Sequence, residues 1–285
     1  MSGRWRDKIG FMQGRLSPKV DGKIQAFPWD AWQGEFPAAQ ALDIRLMEWT
    51  LDQDRLYENP LLTIAGQAEI RGLCAKHNLR VGSLTGDCFM QAPFWKEGGA
   101  ARESLQRDFL AIAQACSVID IVHIVVPLVD NGGMQDKAQE DDVVSFLTAQ
   151  VDTFRTLGVK IVFECDYAPA ELARFIARLE PGLFGINYDI GNSASLGFDP
   201  AEEFAAYGPR IRNVHVKDRV LDGTTVQLGT GNAQFATIFD ALARQNYRGD
   251  YILQTARAMG DDHAVVLAKY RDMTVGWLDA AFAPI

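Results

Sequence analysis

Hydrophobic and polar positions follow two rhythms along the chain. Short apolar runs, rich in β-branched and aromatic residues, cover residues 9–12, 44–49, 81–85, 121–127, 160–164, 184–189, 211–216 and 251–254. Each predicts a buried strand. Between them apolar residues recur every three or four positions, over residues 29–41, 61–76, 101–117, 142–157, 169–179, 201–207, 235–244 and, after the last strand, 263–282. That spacing predicts helices with one buried face. Eight strand patterns, each followed by a helical one, predict a closed (β/α)8 TIM barrel rather than an open doubly wound sheet. No repeat or low-complexity tract divides the chain, so residues 1–285 are expected to form a single domain.

Punctuation agrees with these boundaries. Asp199-Pro200 places a cap before a first-turn proline, and Gly158 follows the fourth helical pattern. Two connections are long for this architecture, residues 13–28 and 217–234. In a barrel both leave the C-terminal ends of strands, where active sites are built, so they are expected to act as lids or clamps.

The strand ends carry the candidate chemistry. "KIVFECD" reaches Glu164, "FGINYDIGN" Asp189, "IRNVHVKD" His215 and "GDYILQT" Gln254. Four consecutive strands, the fifth to the eighth, thus each offer one oxygen or nitrogen donor at the same end of the barrel. Carboxylates closing otherwise apolar strands need pairing or a metal. Two carboxylates, an imidazole and an amide oxygen suit one divalent ion, Mn²⁺ or Mg²⁺ ahead of Co²⁺ or Zn²⁺.

Composition narrows the classes. Of the 285 residues 48% are hydrophobic and 23% charged, ordinary globular proportions, and no apolar stretch is long enough to span a membrane. The first residues lack a secretory pattern, so the expected location is cytoplasmic. A formal charge of −9 leaves no basic face for nucleic acid. The four cysteines are widely spaced and are read as reduced; Cys74 and Cys116 fall in helical patterns. Trp29, Trp32 and Trp95 are candidates for the pocket or for a contact between copies in a homo-oligomer, and Trp5 for a terminal anchor.

The segments "VFECD", "NYDIGN", "NVHVKD", "LGTGN" and "YRGDYILQTAR", with "FMQGRLSP" near the start, make the whole chain resemble the xylose-isomerase-like TIM barrels. That group includes sugar-phosphate isomerases and epimerases, hydroxypyruvate isomerase, inosose-processing enzymes and the endonuclease IV relatives. The resemblance implies that Glu164, Asp189 and His215 are metal ligands. Its usual fourth ligand is a glutamate, and the two glutamates often act as acid and base on opposite faces of the substrate. Gln254 departs from that pattern. An amide oxygen can coordinate but cannot take a proton. The ligand set then carries −2 against +2, which strengthens the ion as a Lewis acid.

One-base chemistry remains. Glu164 is the expected base, removing the α-proton of a hydroxy-ketone whose enediolate the ion stabilises, as in an aldose–ketose isomerase acting on a small sugar, sugar phosphate or sugar acid. The alternative is a lyase, a dehydratase or decarboxylase, from the same intermediate. A non-catalytic ligand-binding barrel ranks below both, and DNA repair is disfavoured by only four histidines and no basic face. His123, within the fourth strand, is a candidate second acid–base. Substrate contacts are expected from Arg15, Glu48, Lys217 and Arg257, the last two placed by "HVKD" and "QTAR". Asp87 is read as a loop cap. The turn Gln227–Asn232, "QLGTGN", is a weak candidate for cradling a phosphate.

Overall fold

A computed structural model describes residues 4–258, 260 and 262–283. Eight parallel strands close into one barrel in chain order: β1 Ile9–Met12, β2 Leu46–Thr50, β3 Arg80–Thr85, β4 His123–Leu128, β5 Lys160–Cys165, β6 Phe184–Asp189, β7 Ile211–Val216 and β8 Asp250–Leu253. Helices lie between the strands on the outside, the single (β/α)8 domain that the two rhythms predict.

The two-residue alternation of a strand sorts its side chains. Ile161 and Phe163, Ile186 and Tyr188, Val214 and Val216, and Tyr251 and Leu253 belong to the large apolar cluster shared with the helices. Their neighbours Glu164, Asn187, Asp189, Asn213, His215 and Ile252 therefore point into the barrel, where Met12, Leu46 and Ile252 form a small separate cluster. Gln254, two residues past Ile252, continues the inward phase. Register shifts at Met47/Glu48 and at Ile186/Asn187 adjust the aim of two of the inward polar residues.

The sequence boundaries differ in detail. The fourth helical pattern is two helices, Lys137–Ala149 and Val151–Leu157, broken at Gln150. β4 begins at His123, two residues late, because Asp120 adopts a left-handed turn (φ 63°) and Ile121 belongs to it. Trp32 and Trp95 are buried in the helix layer, contrary to the exposed positions expected for a contact between copies; Trp29 is half-buried with the Arg55 guanidinium 3.9 Å from its ring centre. Trp5 does anchor the terminus, packing on Phe282 and donating to Asp279 at 2.7 Å. All four cysteines are free thiols. Among the described residues no helix is long and apolar enough to cross a membrane.

Candidate metal and active site

Glu164, Asp189 and His215 present ligand atoms within 4.8 Å of one another, and all three side chains are buried. The register pairs Asp189 with His215, and Glu164 stands at the same end of β5. His215 Nδ1 lies 3.2 Å from Glu164 Oε2 and 3.9 Å from Asp189 Oδ2.

Further contacts orient these groups. His215 Nε2 meets Glu48 Oε1 at 2.7 Å, the carboxylate–histidine pairing that commonly stands behind a metal-bound imidazole. Asn213 Nδ2 donates to Glu48 Oε2 and to Asn187 Oδ1, both at 2.9 Å, which turns the Asn187 amide nitrogen towards Glu164 Oε2 and His215 Nδ1, 3.0 Å from each. A third Asn, Asn192, donates its side-chain amide to Glu164 Oε1 at 2.6 Å and its backbone N–H to Asp189 Oδ1 at 2.9 Å.

Electrostatics pull the imidazole two ways. Burial opposes its charge, but the carboxylates of Glu48 and Glu164 outweigh burial and lift its pKa to about 10. The Asn187 amide, by contrast, donates towards Nδ1 and so suits a ring whose Nδ1 lone pair is free, the form that binds a cation. The carboxylates thus favour a positively charged ring, whereas the Asn187 amide favours an unprotonated Nδ1, as a metal ligand must have.

Gln254 completes the set. Its Nε2 donates to Gln25 Oε1 at 3.1 Å, while its Oε1 is buried and has no hydrogen-bond partner among the described residues. A buried amide oxygen left unpaired costs about 1–3 kcal/mol unless a ligand or water meets it. Three buried donors beside an unpaired oxygen fit a divalent cation.

A cavity of about 270 Å³ opens over these residues, lined by Glu164, Lys217 and Gln254 and also by Gln25, Asp87, Asp166, Asn192 and Arg219. Lys217 Nζ sits 3.2 Å from Asp189 Oδ2 and 3.0 Å from Asn192 Oδ1. Arg219 donates to the same Asn192 oxygen at 2.8 Å. Burial raises the Asp166 carboxyl to about 6, with repulsion from Glu164 adding to it.

The remaining sequence candidates land elsewhere. His123 opens β4 at the opposite end of the barrel, paired with Lys160, the first residue of β5. Four residues separate it from the level of Glu164, about 13 Å at the usual strand rise. The alternation points it inward, but at the wrong height for acid–base work at the mouth. Burial lowers its pKa to about 4, so it is a neutral interior imidazole.

Glu48 faces inward at the right height yet lies wholly beneath His215, with Ser83 Oγ donating to it at 2.6 Å. It orients the His215 imidazole and does not line the cavity. Arg15 and Arg257 do not reach into the cavity: Arg15 donates to the carbonyls of Thr255 (2.9 Å) and Ile24 (3.2 Å), and Arg257 to those of Gly14 and Ser17. They fasten the 13–28 connection, which Glu35 also holds by accepting from the backbone N–H groups of Gly14 and Leu16, each at 2.9 Å. The connection brings Gln25 to the cavity wall, as expected of a clamp.

The glycine turn is already filled. Asp218 accepts from the N–H groups of Gly229 (2.8 Å), Gly231 (2.9 Å) and Ala233 (3.1 Å). A Cβ on Gly231 would come within 2.3 Å of Asp218 Oδ1, so that turn is shaped around the chain's own carboxylate, and the phosphate-cradle expectation is overturned. Gln25, Asn192 and Arg219 were not legible as site residues; only the "DIGN" and "HVKD" segments hinted at the latter two.

The model for the xylose isomerase-like TIM barrel matches residues 36–270. The chain belongs to that family. Among curated proteins it is 25% identical over 232 residues to inosose dehydratase of Lacticaseibacillus casei, covering 70% of this chain and 78% of the relative. Among solved structures it resembles a D-allulose 3-epimerase from Methylomonas sp. in complex with D-allulose (TM-score 0.74, 16% identity, 95% of this chain and 97% of that one). It also resembles the IolI protein with a bound zinc atom (TM-score 0.75, 14% identity, 97% and 100%). This chain is an enzyme of that family.

Proposed function

We propose that this xylose isomerase-like enzyme is a divalent-metal-dependent isomerase of a small carbohydrate, interconverting a hydroxy-ketone and its aldehyde partner. The observation that carries the reading is the Glu164 carboxylate on the cavity wall beside the unpaired Gln254 oxygen. Glu164, Asp189, His215 and Gln254 would hold the ion, Mn²⁺ or Mg²⁺ by oxygen-rich donors, with Zn²⁺ or Co²⁺ as the other candidates; the zinc in IolI is in keeping with a cation in this fold. When bound, such an ion polarises a carbonyl and stabilises enediolate charge.

The chain's own residues supply the rest. Glu164 takes the α-proton and returns it to the neighbouring carbon. Asn187 and Asn192, donating to its two oxygens, hold the carboxylate in place. Lys217 and Arg219 offer the cavity's positive wall and would bind substrate hydroxyl or carboxylate oxygens. Gln254 cannot accept a proton, so direct epimerisation between a base at 164 and a base at 254 is not open to this enzyme.

A second reading is favoured by the inosose dehydratase relatives. Expulsion of a β-hydroxyl from the same enediolate would make the enzyme a lyase, with Glu164 in the same role.

Solvent exchange tests the shared step. Metal-loaded protein is incubated in D₂O with a panel of ketoses and keto-cyclitols, and NMR follows deuterium at the α-carbon and the product formed. Wild type is expected to exchange, and E164Q to lose at least about 100-fold of that rate. An isomeric product supports the isomerase and loss of water the lyase. Absence of exchange across the panel, in protein shown to carry metal, would sink both.

A further inference from the structure

Replacing the usual second glutamate by Gln254 leaves the ligand set with Glu164 as its proton-transfer group, yet isomerisation also moves a proton between oxygens. A second carboxyl lines the same cavity. Asp87 follows the tip of β3, across the barrel from β7 and its Lys217, and is 7% exposed. It opens the short helix Asp87–Gln91, whose N-cap is Gly86, and among the described residues no N–H of that helix donates to its carboxyl. Among the described residues its single hydrogen bond is from Gln25 Nε2 to Oδ2 at 2.7 Å, and Gln25 Oε1 in turn accepts from Gln254 Nε2. Among the described residues no cation makes an ion pair with it: the facing Arg15 spends its donors on Thr255, Ile24 and, at 3.5 Å, Gln25.

We propose that Asp87 is a second catalytic acid–base, carrying a proton to and from substrate oxygens while Glu164 handles the carbon-bound proton. The inference rests on the enolising function proposed above. Glu164 first removes the α-proton to leave an enediolate, and only then does protonated Asp87 give its proton to the former carbonyl oxygen, leaving an enediol and an Asp87 carboxylate. Asp87 then takes the proton of the adjacent hydroxyl, which becomes the new carbonyl, as Glu164 returns its proton to the former carbonyl carbon. Both side chains end as they began, and no redox partner is needed.

The environment suits a group that must both give and take a proton near neutrality. Burial raises Asp87 to about 7; the Gln25 hydrogen bond opposes this, the carboxylates of Asp52 and Glu164 add to it, and Arg15 opposes it. The buried Cys88 thiol is the remaining titratable neighbour, itself pushed up by burial and by Asp87. The amide chain Asp87–Gln25–Gln254 ties the carboxyl to the fourth ligand position, so the group is held at the site by a residue that the 13–28 connection delivers.

The test compares D87N and D87S with wild type and E164Q for bound metal, α-deuterium exchange and net conversion. The expected pattern is unchanged metal content, exchange within about 10-fold of wild type, conversion lowered by at least about 100-fold, and partial recovery with added formate in D87S. Conversion within about threefold of wild type would overturn the proposal. So would joint loss of metal and exchange, or failure of both variants to fold, since either makes Asp87 structural. Carboxyl ¹³C NMR reads the group without any substrate: the resonance missing from D87N should titrate near neutrality, and titration in the ordinary carboxylate range would overturn the assignment. Wild type that exchanges no substrate proton defeats the enolising function, whereas wild type that exchanges with an unaffected D87N defeats this inference alone.

Discussion

The two ends of the barrel use acidic residues in opposite ways. At the N-terminal end Asp250 is met by Arg80 at 2.8 Å and Lys8 at 3.6 Å, and the neighbouring His123 stays neutral. At the mouth Glu164, Asp189, Asp87 and Glu35 are buried, and the cations beside them are few: Lys217 meets Asp189, while Arg15 and Arg257 are turned to backbone carbonyls. A fold that leaves acids unanswered at one end, and answers them at the other, has concentrated its unmet electrostatics where a cation and a substrate can meet them.

The contrast can be broken most sharply at Glu35. Burial lifts its carboxyl to about 7, against the bonds from Gly14, Leu16 and Ser17. A raised native pKa means that the folded chain holds a proton the unfolded chain has released, so stability falls as pH rises from about 4.5 to about 7. Relative to E35Q, wild type should lose up to about 3 kcal/mol across that window, read from urea midpoints. A pH-independent difference between the two proteins would show Glu35 to be answered like the acids at the base.

Next in size is Glu48, which stands behind His215. E48Q should weaken metal binding by about 10–100-fold, measured by calorimetric titration, without changing the contents of the cavity wall. An affinity equal to wild type would remove Glu48 from the metal's support and leave it as a buried polar residue.

The smallest effect is expected at His123. H123Q should keep its turnover within about threefold, because the imidazole lies too deep for proton transfer at the mouth. Its native pKa is lowered, so its contribution to stability is present above about 6.5 and is lost as pH falls through about 4. Wild type should therefore lose stability relative to H123Q as the pH drops through that interval. A large loss of turnover in H123Q would return the residue to the catalytic machinery.

These contrasts also mark what a sequence can carry. The barrel was legible because both of its periods repeat eight times, and Glu164, Asp189 and His215 were legible because each ends an apolar run whose alternation points it inward. Height was not: His123 has the right phase but sits at the first residue of β4 instead of its last. Nor was the direction of long side chains. Arg15 and Arg257 occupy the expected loops yet turn back to fasten them, and Glu48 is turned to His215 instead of to the cavity. Asp87 read as a cap because an acid opening a helix usually is one; only burial and the missing capping bond separate it from that role. Gln25 lies in a polar connection with no pattern to mark it.

The glycine turn that closes around Asp218 has a consequence for ligand selection. Its three N–H groups answer to a resident anion that never diffuses away, at effective concentrations of about millimolar or above. Any phosphate ester drawn to that rim must compete with this tethered occupant for the same amides.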